Sequence, residues 1–278
     1  MSCGLLRRAA LVLVAWAACL SANAHEFWIE ASPPAPAVGA PVLMTARVGE
    51  FYTGELVGIT TAHVVSLHAL SAGRDEDLDA RVPTGSMVPA LRLSFAQPGS
   101  HVLAYESHPS QVVLAADKFH AYLHDEGMDW VIRQREAAGT AATPGRERFR
   151  RSAKALLQVG GQGDGAATAV TGQRMEILPL DDPLAAHAGD TLHFQLRFEG
   201  RPRPGVLVKA WHKQGGQTTT IRATTDGSGR FAFTLPFTGR WMLNAVHMVA
   251  ATDSTEVDWD SFWGSLTFQL QPRPPAGG

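Results

Sequence analysis

Cysteine is almost absent from this sequence. Its two cysteines, Cys3 and Cys19, both precede Ala24, so a chain cut after Ala24 has no disulfide, thiolate metal site or cysteine nucleophile. The sequence also lacks a large excess of positive or negative charge. Its formal net charge of −2 gives no basis for binding nucleic acid or an anionic membrane. The sequence contains no phosphate-binding glycine loop, no dinucleotide fingerprint and no Gly-x-Ser-x-Gly elbow, so the common enzyme motifs are missing.

Long apolar runs are confined to the N-terminus. Arg7 and Arg8 precede the apolar residues 9–20, and the triplet 22–24 then has the small-x-small pattern of a signal peptidase site. The apolar run is too short to cross a membrane, which takes about 20 apolar residues. Residues 1–24 are therefore predicted to be a signal peptide, and the protein is expected in the periplasm without a membrane span.

Cleavage after Ala24 would make His25 the first residue of the mature chain. A terminal histidine offers its free α-amine and its ring Nδ1, which together can close a chelate ring on one metal ion. The same residue in mid-chain would offer only its imidazole. A histidine can also follow a cleavage site by chance, so the sequence leaves that alternative open.

Short strand-like runs separated by turn residues dominate the rest of the chain. In the first half they predict strands at residues 27–30, 41–48, 63–69, 91–95 and 101–106. In the second half they predict strands at 191–198, 206–211, 239–248 and 266–270, and a hairpin made by 218–225 and 230–235. The pattern predicts a mainly β fold of two β-sandwich domains, immunoglobulin-like or transthyretin-like.

The middle of the chain has a different pattern. Phe119, Tyr122 and Leu123 recur at helical spacing, which predicts a helix over 117–127, and a second helix is predicted over 129–138.

These patterns give the expected domain organisation. The basic run 146–154 leads into a short predicted strand, and a glycine-rich stretch predicts a linker over 161–172. The predicted domains are residues 25–160, with a helical insertion near 117–138, and residues 173–272.

All eleven histidines follow the predicted signal peptide. His247 lies in an apolar strand, on the same face as Trp241 and Leu243, which alternation predicts to be the inward face. There it is either a hydrogen-bonded core histidine or a metal ligand. His120 and His124 have the i,i+4 spacing that allows two imidazoles to share a metal, but without an HExxH glutamate we interpret them as exposed helix residues.

Several segments resemble a family of periplasmic proteins that have a domain of unknown function and are often described as nickel- or cobalt-uptake components. The resemblance extends over nearly all of the mature chain and implies a metal-binding partner of a membrane metal transporter. His25 and His247 look like the two histidine positions that this family shares, which favours the ligand role for His247. The C-terminal half also resembles carboxypeptidase-regulatory-like sandwiches. The segments that carry the family resemblance are 24–28, 118–127, 146–149 with 154–160, and 241–248 with 258–263.

His25 and His247 together would supply one amine and two imidazoles, a T-shaped three-nitrogen set of the histidine-brace type. Nitrogen-rich tetragonal sites favour copper(II) or nickel(II), and the resemblance adds cobalt. The affinity should rise with pH, because an α-amine with a pKa of about 7.7–8.0 must lose its proton to bind. Glu106, Asp258 and Asp260 are candidate carboxylate ligands that would complete the site.

The sequence therefore predicts a periplasmic protein that binds a divalent transition metal for an uptake system and catalyses no reaction. One alternative is a non-catalytic structural or interaction β-sandwich without a metal. A copper oxygenase acting on polysaccharides, which a histidine brace on a β-sandwich can also build, is disfavoured because no flat surface rich in Trp and Tyr is evident.

Overall fold

The computed structural model describes residues 25–161 and 163–273, so the predicted signal peptide lies outside the described residues. Within them, two α-helices and seventeen β-strands form. No helix of this part of the chain is long and apolar enough to cross a membrane. The helices are α1 (Ala116–Asp125) and α2 (Asp129–Ala137). The strands are β1 (Glu26–Ser32), β2 (Pro41–Glu50), β3 (Thr53–Val57), β4 (Val64–Ser71), β5 (Arg74–Asp77), β6 (Leu91–Ser94), β7 (Gly99–Ser107), β8 (Ser110–Leu114), β9 (Gly145–Val159), β10 (Met175–Pro179), β11 (Thr191–Phe198), β12 (Arg201–Pro202), β13 (Leu207–Gln214), β14 (Gln217–Thr224), β15 (Arg230–Thr234), β16 (Gly239–Ala250) and β17 (Trp259–Leu270).

A nine-stranded sheet forms the centre of the molecule. Its strand order is β14-β13-β16-β17-β9-β7-β4-β5, and β8 also pairs with β9. Strands β17 and β9 run parallel, which joins the C-terminal half of the chain to the N-terminal half within one sheet. Two four-stranded sheets pack against this central sheet: β1, β2, β3 and β6 form the N-terminal small sheet, and β10, β11, β12 and β15 form the C-terminal small sheet.

The two small sheets cover opposite faces of the central sheet. Along β16, Trp241 and Leu243 pack into the core beneath the C-terminal small sheet, and we call this side the sandwich face. The alternate residue Val246 packs with both helices, and Met242 packs with Trp28 of β1, so we call this side the helix face. The period-two alternation of a strand separates the two sets of side chains.

The predicted fold class is confirmed: the chain is mainly β, and each small sheet makes a sandwich layer with its own apolar core. Both predicted helices are present, with α1 and α2 ending one or two residues before the predicted positions. The linker predicted over 161–172 has only a short 3₁₀ turn, Ala166–Thr168, among its described residues.

Two local predictions were wrong. The segments predicted as one hairpin, β14 and β15, lie in different sheets, because β14 pairs with β13 and β15 pairs with β11. The short strand predicted to follow the basic run begins ten residues earlier, because the run itself is part of the fifteen-residue strand β9. Three of its arginines pair with carboxylates at or directly before the start of the neighbouring strand β17: Arg146 with Asp258, and Arg148 and Arg150 with Asp260.

Candidate functional site around the N-terminal histidine

His25 lies directly before β1, beside the turn that connects β2 to β3. The β1–β2 register places Glu26 opposite Gly49, which brings His25 next to Glu50. The imidazole Nε2 of His25 lies 3.7 Å from Glu50 Oε1, and both side chains are about a third exposed. The two residues border an open cleft whose remaining walls come from residues 48–55.

The β2–β3 turn has the backbone shape that positions Glu50. Phe51 and Tyr52 both have positive φ, 54° and 55°, as a two-residue type I′ hairpin requires. Residues with bulky side chains rarely adopt this conformation. Here the buried Tyr52 ring packs on Trp28 at a centroid distance of 5.3 Å, which compensates for the strained backbone.

A second group of ionisable residues lies on the other side of Glu50. Glu26 is only 5% exposed, and its Oε2 has no hydrogen-bond partner among the described residues. Burial, with a smaller contribution from the charge of Glu126, raises the pKa of Glu26 to about 8. Glu126 accepts a hydrogen bond from the Lys209 ammonium at 2.7 Å, and both of these side chains are buried. The group borders a cavity of about 440 Å³ between β1, α1 and β13.

A buried hydrogen-bond network lies below α1. The Tyr122 hydroxyl donates to Glu147 Oε1 at 3.3 Å, and the Ser261 hydroxyl donates to the same oxygen. The Trp263 indole donates to the Ser261 oxygen at 3.2 Å. Burial raises the pKa of Glu147 to about 7 in spite of these hydrogen bonds. Tyr122 also borders the cavity beside Glu26, so the network reaches the wall of that cavity.

His247 occupies a different part of the molecule. It lies on β16 opposite Phe262, and its ring centroid is 4.9 Å from that of Phe198 in the C-terminal small sheet. The side chain is 3% exposed, and its Nε2 has no hydrogen-bond partner among the described residues. Burial lowers the pKa of His247 to about 4, with a smaller contribution from the charge of Arg203.

The two histidines predicted as ligands are thus on opposite sides of the central sheet. His247 faces the sandwich face, as alternation predicted, whereas His25 lies with β1 on the helix face. The structure does not bring the two imidazoles together, because the backbone of the central sheet lies between them. Among residues 25–161 and 163–273, no group of three or more His, Cys, Asp or Glu side chains is arranged to hold a metal ion.

The other candidate residues have local partners. Asp258 and Asp260 bind Arg146 and Arg148, which leaves neither free to complete a site at His25. Glu106 accepts hydrogen bonds from the Ser152 hydroxyl and from the backbone of residue 174. On α1, His124 Nδ1 lies 3.0 Å from Asp129, and His120 and His124 are exposed, as the sequence predicted.

Sequence reasoning missed the group formed by Glu26, Glu126 and Lys209. The sequence contains one indication of this buried group: Lys209 interrupts an apolar strand between Val208 and Ala210. A charged residue at a buried strand position requires a partner. The identity of that partner could not be predicted, since Glu126 lies 83 residues away.

Comparisons with known proteins give a family and no characterised relative. Among solved structures, the fibronectin(III)-like modules of CbhA from Clostridium thermocellum are 7% identical, with 90% of this chain and 97% of that chain covered and a TM-score of 0.19. The chicken CNTN1 FN1-FN3 domains are 8% identical, with 88% and 68% covered and a TM-score of 0.19. Similarities with TM-scores this low do not support a functional inference. No curated protein matches the chain. The family model described as "Domain of unknown function (DUF4198)" matches residues 22–249, so the chain belongs to the DUF4198 family.

Proposed function

We propose that this is a periplasmic transition-metal-binding protein that handles nickel, cobalt or copper for an uptake system. The metal would be held by the α-amine and ring Nδ1 of His25 once the signal peptide has been removed after Ala24. The observation that carries the proposal is the position of Glu50, whose carboxylate lies 3.7 Å from the opposite ring nitrogen, Nε2.

This geometry suits an amine–imidazole chelate. Histidines that bind a metal through one ring nitrogen commonly donate the other N–H to a carboxylate, which fixes the ring orientation and raises the basicity of the ligand. The Glu50 carboxylate lies just outside hydrogen-bond distance of Nε2 and would accept from it after a small side-chain rotation, which would leave Nδ1 for the metal. The amine would be the second metal ligand, and Glu50 would orient the ring without binding the metal itself.

Two further points support the proposal. The chain after Ala24 has no cysteine, so its metal ligands must come from histidine, carboxylate, methionine or backbone groups rather than from thiolates. The resemblance to proteins described as nickel- or cobalt-uptake components implies the same class of metal ion. It also implies a membrane metal transporter as the partner. His247 is not needed for this site and has a core position that suits a structural role.

The proposal is tested on protein recovered from the periplasm of an expressing cell. Mass spectrometry should find His25 as the first residue. Calorimetric titration with copper(II), nickel(II) and cobalt(II) should then give one site per chain, with an affinity that rises with pH through about 7.7–8.0 as the amine loses its proton. A chain extended by two residues before His25 keeps every side chain but has no chelating amine, and it should bind at least tenfold more weakly.

Matched variants separate this site from nonspecific histidine contacts. Glu50→Ala should weaken binding about 10–100-fold, the usual effect of losing a carboxylate that orients a metal-binding histidine. His124→Ala removes an exposed imidazole and His247→Ala removes a buried one, and both should bind as the unaltered chain does. If the extended chain binds as tightly as the mature chain, the chelate is excluded. If neither chain binds these metals, a non-catalytic interaction sandwich without a metal, of the carboxypeptidase-regulatory-like type that the C-terminal half resembles, is the better hypothesis.

A further inference from the structure

The cavity of about 440 Å³ beside Glu26 has the features of a second binding site, separate from the chelate at His25. It lies where β1, α1 and β13 meet, so residues that are distant in the sequence build its walls. It shares Glu50 and Phe51 with the cleft of His25 but has its own buried end, formed by Glu26, Glu126 and Lys209. Its volume falls within the range of about 300–1,000 Å³ that is usual for small-molecule sites.

Glu26 lines the closed end of this cavity and has an unmet hydrogen-bonding capacity. Its side chain is 95% buried, and Oε2 has no donor among the described residues. A buried acceptor without a partner costs about 1–3 kcal/mol, and more when the acceptor is charged. A ligand that brings an N–H donor into the cavity would remove this cost.

The charged residues around the cavity determine which sign of charge the ligand should have. At the buried end, the ammonium of Lys209 is engaged by Glu126 at 2.7 Å, so the carboxylate of Glu26 is the one in excess. At the mouth, the acidic residues Glu50 and Asp125 are balanced by the basic residues Lys118 and Arg222. Glu26 is therefore the one carboxyl at the closed end without a counter-charge, and a ligand with one positive charge would supply it and favour the ionised form over the protonated form that burial favours.

The remaining wall is aromatic. The rings of Phe51 and Trp211 meet edge to face with centroids 5.8 Å apart, and the Phe51 side chain is largely exposed at the cavity. Aromatic faces attract cations and pack against apolar groups. The Lys209 ammonium already lies 5.9 Å from the Trp211 ring, which shows that this wall accommodates a positive charge.

From this arrangement we infer that the cavity binds a small monovalent organic cation, a primary ammonium on an apolar body, with its N–H groups donated to Glu26 and its body against Phe51 and Trp211. A divalent metal is not the ligand that these residues fit, because the described residues offer no group of three metal-binding side chains here. The inference does not depend on a metal at His25.

The test is calorimetry of the mature protein with three related probes, in the presence of a chelator that removes transition metals. 2-Phenylethylammonium should bind with one site per chain. The neutral 2-phenylethanol should bind at least tenfold more weakly, since it lacks the charge. Trimethyl(2-phenylethyl)ammonium keeps the charge but has no N–H, and it should also bind at least tenfold more weakly. Because this series uses only the unaltered protein, the folding defect of a variant cannot affect the measured affinities.

Two variants locate the site. Glu26→Gln, which keeps the shape of the side chain, should weaken 2-phenylethylammonium binding at least tenfold. Glu256→Gln removes an exposed carboxylate that does not line the cavity and should change this binding less than threefold. Absence of saturable binding, equal binding of the trimethyl probe, or unchanged binding in Glu26→Gln would each overturn the inference. The chain extended before His25 should bind the ammonium normally, so failure here and failure of the metal chelate are distinguishable.

Discussion

Lys154 and Glu176 form a fully buried ion pair that joins the two halves of the chain. Lys154 Nζ lies 3.1 Å from Glu176 Oε1, and the two side chains are 2% and 1% exposed. Lys154 belongs to β9 of the central sheet and Glu176 to β10 of the C-terminal small sheet. The same carboxylate oxygen also accepts hydrogen bonds from the backbone and hydroxyl of Thr171. These bonds anchor the segment predicted as a linker to the buried ion pair.

The first prediction concerns this pair. Lys154→Met should destabilise the protein by about 3–5 kcal/mol, because it leaves the Glu176 carboxylate buried without a counter-charge. The double variant Lys154→Met, Glu176→Met should be more stable than the single one, because no unpaired charge remains. Urea unfolding of the wild type, both single variants and the double variant closes a thermodynamic cycle. If the two effects simply add, the pair does not act as a unit.

The second prediction is that the two halves fold as one unit. Strand β9 of the N-terminal half is the parallel neighbour of β17. The core of the C-terminal half also includes Val102 and Leu156 from the N-terminal half. Residues 173–272 alone would expose this surface and leave β17 as an unpaired edge. The full chain should therefore unfold in one calorimetric transition, and the isolated 173–272 segment should give poorly dispersed amide NMR signals. Two separated transitions in the full chain would contradict this prediction.

The sequence predicted most strands but not their partners. Alternation identified β11 because only one of its faces is buried, whereas β16 is buried on both faces. It could not show that β14 and β15 belong to different sheets, since a turn at 226–229 suits a hairpin and a crossing equally well. The long strand β9 was hidden by its arginines, whose charge is neutralised by residues near 258–260 about 110 positions later.

The site was predictable only where the information is local. His25 could be singled out because the signal pattern and the histidine are adjacent, and the inward orientation of His247 followed from its strand. Their separation could not be foreseen, because it depends on which small sheet covers which face of the central sheet. The proximity of Glu26, Glu126 and Lys209 likewise arises from tertiary packing of three distant elements.

The third prediction is an acid-dependent loss of stability caused by His247. Its pKa in the folded protein is lowered to about 4, whereas the unfolded chain has a value near 6.5. The unfolded state therefore binds more protons between these values, and the stability must fall as the pH decreases from about 6.5 to 4. The difference between the two pKa values corresponds to about 3 kcal/mol. His247→Leu should flatten the unfolding free energy over this range, and the exposed control His124→Ala should not. Unfolding curves at pH 4, 5, 6 and 7 measure the difference.

The fourth prediction has the opposite sign and concerns Glu147. Burial raises its pKa in the folded protein from 4.5 to about 7, so the folded state holds a proton that the unfolded state releases. The contribution of Glu147 is fully present below about pH 4.5 and is lost as the pH rises through 7, by about 3 kcal/mol. Glu147→Gln keeps an acceptor for the Tyr122 and Ser261 hydroxyls but cannot ionise, so its unfolding free energy should lack this decrease.

The comparison with wild type is made by urea unfolding at pH 5, 6, 7 and 8, with the exposed Glu256→Gln as the control that retains the slope. The variant should gain stability relative to wild type as the pH rises, because only the wild type must then bury a charged carboxylate beneath α1. Parallel curves for Glu147→Gln and wild type would show that Glu147 ionises in the folded protein as readily as in solvent. The hydroxyl and indole groups around it would then stabilise its charge enough to offset burial.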